Sequence, residues 1–129
     1  MIVLDASALV DVVIDEPVAD WVLGELTSEE VAAPAHQVAE VLSAVTRLGR
    51  ADVLDRESVG RALDRAQALE QALVLPTPAH IRRALALSGH IRVTDGLYVA
   101  LAEELGCALV TTDRRLSRAT VDCEVRAPS

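Results

Sequence analysis

Two short apolar runs constrain this chain more than anything else in it. Ile2-Val3-Leu4 is continuous, not alternating, so it reads as a strand buried on both faces, and Cys107-Ala108-Leu109-Val110-Thr111 reads as a further strand. Strands of that kind belong to parallel sheets, because the crossover between parallel strands is usually a helix that covers a face. The intervening sequence supplies such crossovers. Helical spacing is read over 7–13, 17–27, 36–49, 56–71, 78–87 and 95–105, with a short helix after Asp113, and further strands over 31–34, 72–76 and 122–126. In the third of these helices Val38, Val41, Leu42, Val45 and Leu48 predict the apolar stripe and Gly49 the stop. With no hairpin signal and no repeat, the expected fold class is α/β: a single domain over 1–129 with a mostly parallel sheet of four to five strands between helices.

Composition narrows the function classes. A chain of 129 residues, half of them hydrophobic, has the size of one domain with a real core, and no apolar segment approaches the ~20 residues of a membrane span. Asp5 interrupts the first apolar run after four residues, which argues against a signal peptide and predicts a cytoplasmic protein. Cys107 and Cys123 are too few and too far apart for a zinc motif and read as ordinary reduced thiols. The net charge of -8 excludes a uniformly basic nucleic-acid surface. Charge is nevertheless segregated: residues 1–46 hold nine acids and no Arg or Lys, whereas 47–129 hold all twelve arginines against eleven acids. There is no lysine, so phosphate-binding or Schiff-base lysine chemistry is ruled out.

In an open parallel sheet, ligands bind beyond the carboxyl ends of the strands. Asp5 and Asp113 come directly after the two defining strands and so fall at that edge, although an Asp at a strand-to-helix junction also serves as a helix cap. Asp95 shares a helix face with Val99 and Ala102 and heads a buried stripe, with capping as its alternative. Glu40 projects away from the apolar stripe of its helix, and periodicity alone assigns it to solvent. If these four acids meet, they require a compensating cation, since like charges raise one another's pKa. Mg²⁺ or Mn²⁺ fits an all-oxygen set, needs no His or Cys, and activates water toward a phosphodiester. Ser7, Thr111 and Thr112 are placed to orient the carboxylates or the waters.

The stretches "MIVLDASALVD", "APAHQVAEVLSAV", "TDGLYVALAEELG" and "LVTTDRRL", in this order and spacing, resemble the PIN-domain ribonucleases, and most closely the VapC toxins of VapBC toxin-antitoxin pairs. The resemblance covers nearly the whole chain and implies a three-layer α/β/α PIN-like fold. It places Asp5, Glu40, Asp95 and Asp113 on the family's acidic quartet, which binds Mg²⁺ or Mn²⁺, and Ser7 and Thr111 on its polar accessory positions. It further implies an RNA substrate, inhibition by a small VapB-like antitoxin with an arginine-bearing tail, and a homodimer. Arg82, Arg83, Arg92, Arg114 and Arg115 are the expected phosphate contacts. Thr94, Gly96 and His90 depart from residues common in the family, and they border the acids without replacing them.

Two other readings compete. A phosphotransfer enzyme or receiver domain also gathers aspartates at strand ends. The former expects a second Asp where this chain has Ser7, and the latter expects a lysine. A binding module without chemistry is the second, and retention of all four acids weighs against it. A Ser-His-Asp hydrolase is set aside for want of a G-x-S-x-G elbow.

Overall fold

The computed structural model describes all residues, 1–129. Five strands, β1 (Ile2–Leu4), β2 (Val31–Pro34), β3 (Ala72–Val74), β4 (Ala108–Val110) and β5 (Val125–Arg126), form one sheet in the order β3-β2-β1-β4-β5. Every pairing is parallel, with Ile2 opposite Val31 on one side and Ala108 on the other. The apolar run that opens the chain is thus the centre of the sheet. Ile2, Val3 and Leu4 are each at most 1% exposed, which stabilises the fold by roughly 1.5–3 kcal/mol apiece. The edges are short, β5 having two residues, which limits open pairing.

The helices are α1 (Ala6–Val13), α2 (Ala19–Leu26), α3 (Gln37–Arg50), α4 (Arg56–Ala68), α5 (Pro78–Leu87), α6 (Val93–Leu105) and α7 (Arg114–Ser117). Right-handed crossovers put α1 to α4 on one face. The β3-to-β4 crossover runs in the opposite direction and carries α5 and α6 to the other face, where α6 packs under β1, β2 and β4. The expected three-layer α/β/α architecture is therefore the one observed, with five strands and no antiparallel pair.

Several boundaries differ from the sequence expectation, and three departures bear on packing. Helix α3 runs through Gly49 to Arg50, because α4 crosses so close that a Cβ at Gly49 would lie 2.9 Å from Val59 Cγ2. Glycine here admits a neighbouring helix and does not end its own. The buried face of α3 is Gln37, Val41 and Val45, whereas Val38 and Leu42 stand about half exposed at 51% and 49% beside an apolar groove with Leu63 and Leu73. Helix α6 begins two residues early, with Arg92 in the N-cap position.

Candidate active site

The strand order reverses at β1, since β2 lies on one side of it and β4 on the other, and this switch point is where parallel sheets place their sites. Asp5 comes directly after β1 and Thr111 to Asp113 directly after β4, so both loops open into the same crevice. Asp5 occupies the N-cap position of α1, yet its side chain makes no capping bond. Its Oδ2 instead accepts hydrogen bonds from Ser7 Oγ at 2.6 Å and Thr111 Oγ1 at 2.7 Å. The Ser7 hydroxyl also lies 3.2 Å from Thr111 Oγ1 and accepts from the Thr112 amide. Thr111 accepts in turn from the Asp113 amide at 3.0 Å. These bonds join two loops 104 to 106 residues apart and fix one carboxylate orientation.

Asp5 is only 4% exposed, and its carboxyl is pushed up to about 6. Burial is the main cause; the two hydroxyls oppose it, and the negative charges of Asp95 and Glu40 add to it. Asp95, in the first turn of α6, is also buried, and burial raises its carboxyl although Arg92 Nε donates to Oδ2 at 3.0 Å. Glu40 is half-buried, contrary to the periodicity of α3. Burial works to raise it, but hydrogen bonds from His36 and from Tyr98, whose hydroxyl donates at 2.7 Å, hold its carboxyl below the usual range. Asp113 is a cap: its Oδ1 accepts from the Arg115 and Leu116 amides, while Oδ2 faces Arg92 Nη2 at 3.4 Å.

The crevice thus gathers Asp5, Asp95 and Glu40, with Asp113 tied to their edge through Arg92. Of the five arginines expected near phosphate, Arg92 bridges two of the acids, and Arg114 and Arg115 are exposed at the start of α7. Arg82 is exposed on α5, and Arg83 is bound to Glu103 and Asp122 near the C-terminal end of α6. Asp95 and Glu103 lie eight residues apart on that helix, about 12 Å along its axis.

Three residues of the site lie outside the sequence expectation. Tyr98, fully buried, holds Glu40 in place. His36 packs edge-on against the Tyr98 ring at 4.9 Å. Its Nε2 lies 3.1 Å from the Thr94 carbonyl and 3.3 Å from Glu40 Oε1, both acceptors, so this nitrogen carries the hydrogen; Nδ1 is buried without a partner. Gln37 donates to the carbonyl of Leu4, immediately before Asp5, and exchanges amide hydrogen bonds with Gln71. The signal for Gln37 is its position one helical turn before Val41 on the buried face, and for Tyr98 its i+3 spacing from Asp95.

No three His, Cys, Asp or Glu side chains come together in a group that could hold a metal ion. Zinc, which takes a tetrahedral set of mainly Cys and His, does not suit this crevice. Magnesium does, because it uses one or two carboxylates and keeps its remaining positions for water and substrate oxygens. Two buried carboxylates whose pKa values are both raised, with hydroxyls beside them, are such a donor set.

The fold and the acids define a class, and comparison with known proteins agrees with it. The PIN domain model matches residues 2–121. The chain is 39% identical over 124 residues to ribonuclease VapC3 of Mycobacterium tuberculosis strain H37Rv, covering 92% of this chain and 86% of that protein. It is 37% identical over 119 residues to ribonuclease VapC12 of the same strain, covering 92% and 91%. The crystal structure of PAE2754 from Pyrobaculum aerophilum superposes with a TM-score of 0.71 at 23% identity, over 96% of this chain and 82% of that one. The chain belongs to the PIN-domain family, and within it to the VapC branch.

Proposed function

We propose that this protein is a Mg²⁺- or Mn²⁺-dependent endoribonuclease that acts as the toxin of a toxin-antitoxin pair, hydrolysing RNA phosphodiester bonds at the acidic crevice. The observation that carries this reading is Asp5: a buried carboxylate, fixed by Ser7 and Thr111 and facing the charges of Asp95 and Glu40. Such an arrangement is costly without a cation and productive with one. A divalent ion held by these carboxylates would supply Lewis-acid polarisation and lower the pKa of a water.

The chain's own residues then have separable tasks. Asp5 and Asp95 would hold the ion, the former through the orientation set by its two hydroxyl donors. Glu40, restrained by Tyr98, orients water at the margin of the crevice. Asp113 couples the β4 loop to Arg92, whose guanidinium bridges it to Asp95. The relatives named ribonuclease VapC support an RNA substrate and a VapB-like antitoxin as partner. An acidic N-terminal third suits capture of a basic antitoxin segment, and a homodimer is the expected assembly. No helix of this chain is long and apolar enough to cross a membrane.

The test is cleavage of RNA by purified protein, followed on a denaturing gel with Mg²⁺, with Mn²⁺ and with excess EDTA. Cleavage is expected only with metal, and Asp5→Asn and Asp95→Asn are each expected to abolish it. Full cleavage in EDTA, or full activity of either variant, refutes the assignment.

A further inference from the structure

Two grooves adjoin at Asp11 beside the acidic crevice, and each is lined by an arginine that sequence alone does not single out, Arg47 in one and Arg118 in the other. The first, about 630 Å³, runs between α1 and α3 and is bordered by Ser7, Asp11, His36, Glu40, Arg47 and Arg92. The second, about 430 Å³, runs past Asp11 and Thr112 to Arg114 and Arg118. They share Asp11, so they adjoin at that side chain, six residues along α1 from Asp5. Glu40, Ser43 and Arg47 succeed one another at i, i+3 and i+7 on α3, which sets Arg47 about 10 Å along the helix from Glu40.

The arginines of this molecule divide into committed and available ones. Arg61, Arg65, Arg83 and Arg126 are each held by a carboxylate outside the crevice. Arg47, Arg50, Arg56, Arg82, Arg114, Arg115 and Arg118 are in no ion pair, and of these Arg47 borders the first groove and Arg114 and Arg118 the second. In a chain of net charge -8, three unpaired cations along two adjoining grooves are a local basic footprint of the kind that attracts a polyanion.

We propose that a single strand of RNA crosses the acidic crevice along one track, from Arg114 and Arg118 on one side to Arg47 on the other. The proposal rests on the nuclease reading and deepens it: Arg47 and Arg118 hold the phosphates that flank the scissile one, and Arg82 and Arg83 hold none. Asp11, at the junction of the grooves, opposes the phosphates, so Asp11→Asn tightens binding.

The experiment measures binding of a fluorescent single-stranded RNA of mixed sequence to the Asp5→Asn protein by anisotropy, from roughly 50 to 200 mM salt. Each lost phosphate contact lowers the slope of log K against log salt by about 0.7 for a single strand. Arg47→Gln and Arg118→Gln are each expected to lower it by about that amount, the double variant by about 1.4, and Arg82→Gln not at all. An unchanged slope in Arg47→Gln, or an equal loss in Arg82→Gln, overturns the track. Cleavage of the same RNA by the unsubstituted protein with Mg²⁺ separates the two readings. Cleavage with unchanged slopes leaves the nuclease standing without this track, and neither binding nor cleavage removes both.

Discussion

Replacing Asp5 with Asn tests the electrostatics of the crevice without reference to catalysis. The Asp5 carboxyl stands at about 6 in the folded protein against 3.8 when unperturbed. Its folded value is the higher one, so the folded state binds the proton more tightly than the unfolded chain. The resulting stability is complete below about pH 4 and is lost as pH rises through about 6. At pH 7.5 the ionised group therefore costs about 3 kcal/mol, at 1.36 kcal/mol per pKa unit. Asn keeps the shape and one acceptor oxygen, but its hydrogen bonds from Ser7 and Thr111 lose the charge assistance, which takes back roughly 1 kcal/mol. A net gain of about 2 kcal/mol in EDTA at pH 7.5 corresponds to a rise in Tm of roughly 8 °C for a domain of this size. Thermal melts followed by circular dichroism in EDTA at pH 7.5 and pH 5 provide the measurement. The advantage of Asn should shrink or vanish at pH 5, and added Mg²⁺ should raise the Tm of the unsubstituted protein more than that of the variant. A variant that is less stable at pH 7.5, or whose advantage grows on acidification, would refute the reasoning.

Other perturbations probe the same geometry. Tyr98→Phe removes the donor to Glu40 and should cost roughly 1 to 2 kcal/mol in urea unfolding, with cleavage reduced and not abolished. Gly96→Ala forces a Cβ to 2.9 Å from Ala84 Cα. It should destabilise by about 1 to 2 kcal/mol despite the better helix propensity of alanine, again by urea unfolding. Divalent affinity, measured by titration calorimetry, should fall as pH drops through about 6, because the Asp5 carboxyl then takes up a proton in competition with the ion.

Most of the scaffold is legible in the sequence because its signals are local. Ile2 to Leu4 and Ala108 to Val110 are unbroken apolar triplets that only a doubly covered strand accommodates, and a parallel sheet sets the loops leaving those strands at one edge. Asp5, in the first of those loops, is legible for that reason, and Asp95 because it heads the buried stripe of α6. Glu40 is not, because its burial comes from Tyr98, on a helix brought up by the tertiary fold, and from His36 packed against that ring, which helical periodicity does not register. Two glycines mislead for a related reason. Gly49 reads as a helix stop and Gly96 as a weak first-turn residue, yet each is small because another helix presses against it. The arginines divide according to their partners: Arg83 looks available until Glu103 and Asp122 fold next to it.

The hydroxyl bond between Thr111 and Asp5 spans 106 residues of chain. The strand synthesised first is the middle of the sheet, and it waits for β4 before its carboxylate has the second of its two hydroxyl donors. A growing chain on the ribosome therefore carries Asp5, Ser7 and Glu40 for most of its elongation with no assembled crevice. The long separation between partners makes their closure a late event in folding. A product that ends before β4 keeps Asp5 and Ser7 but lacks Thr111, the second hydroxyl donor to that carboxylate.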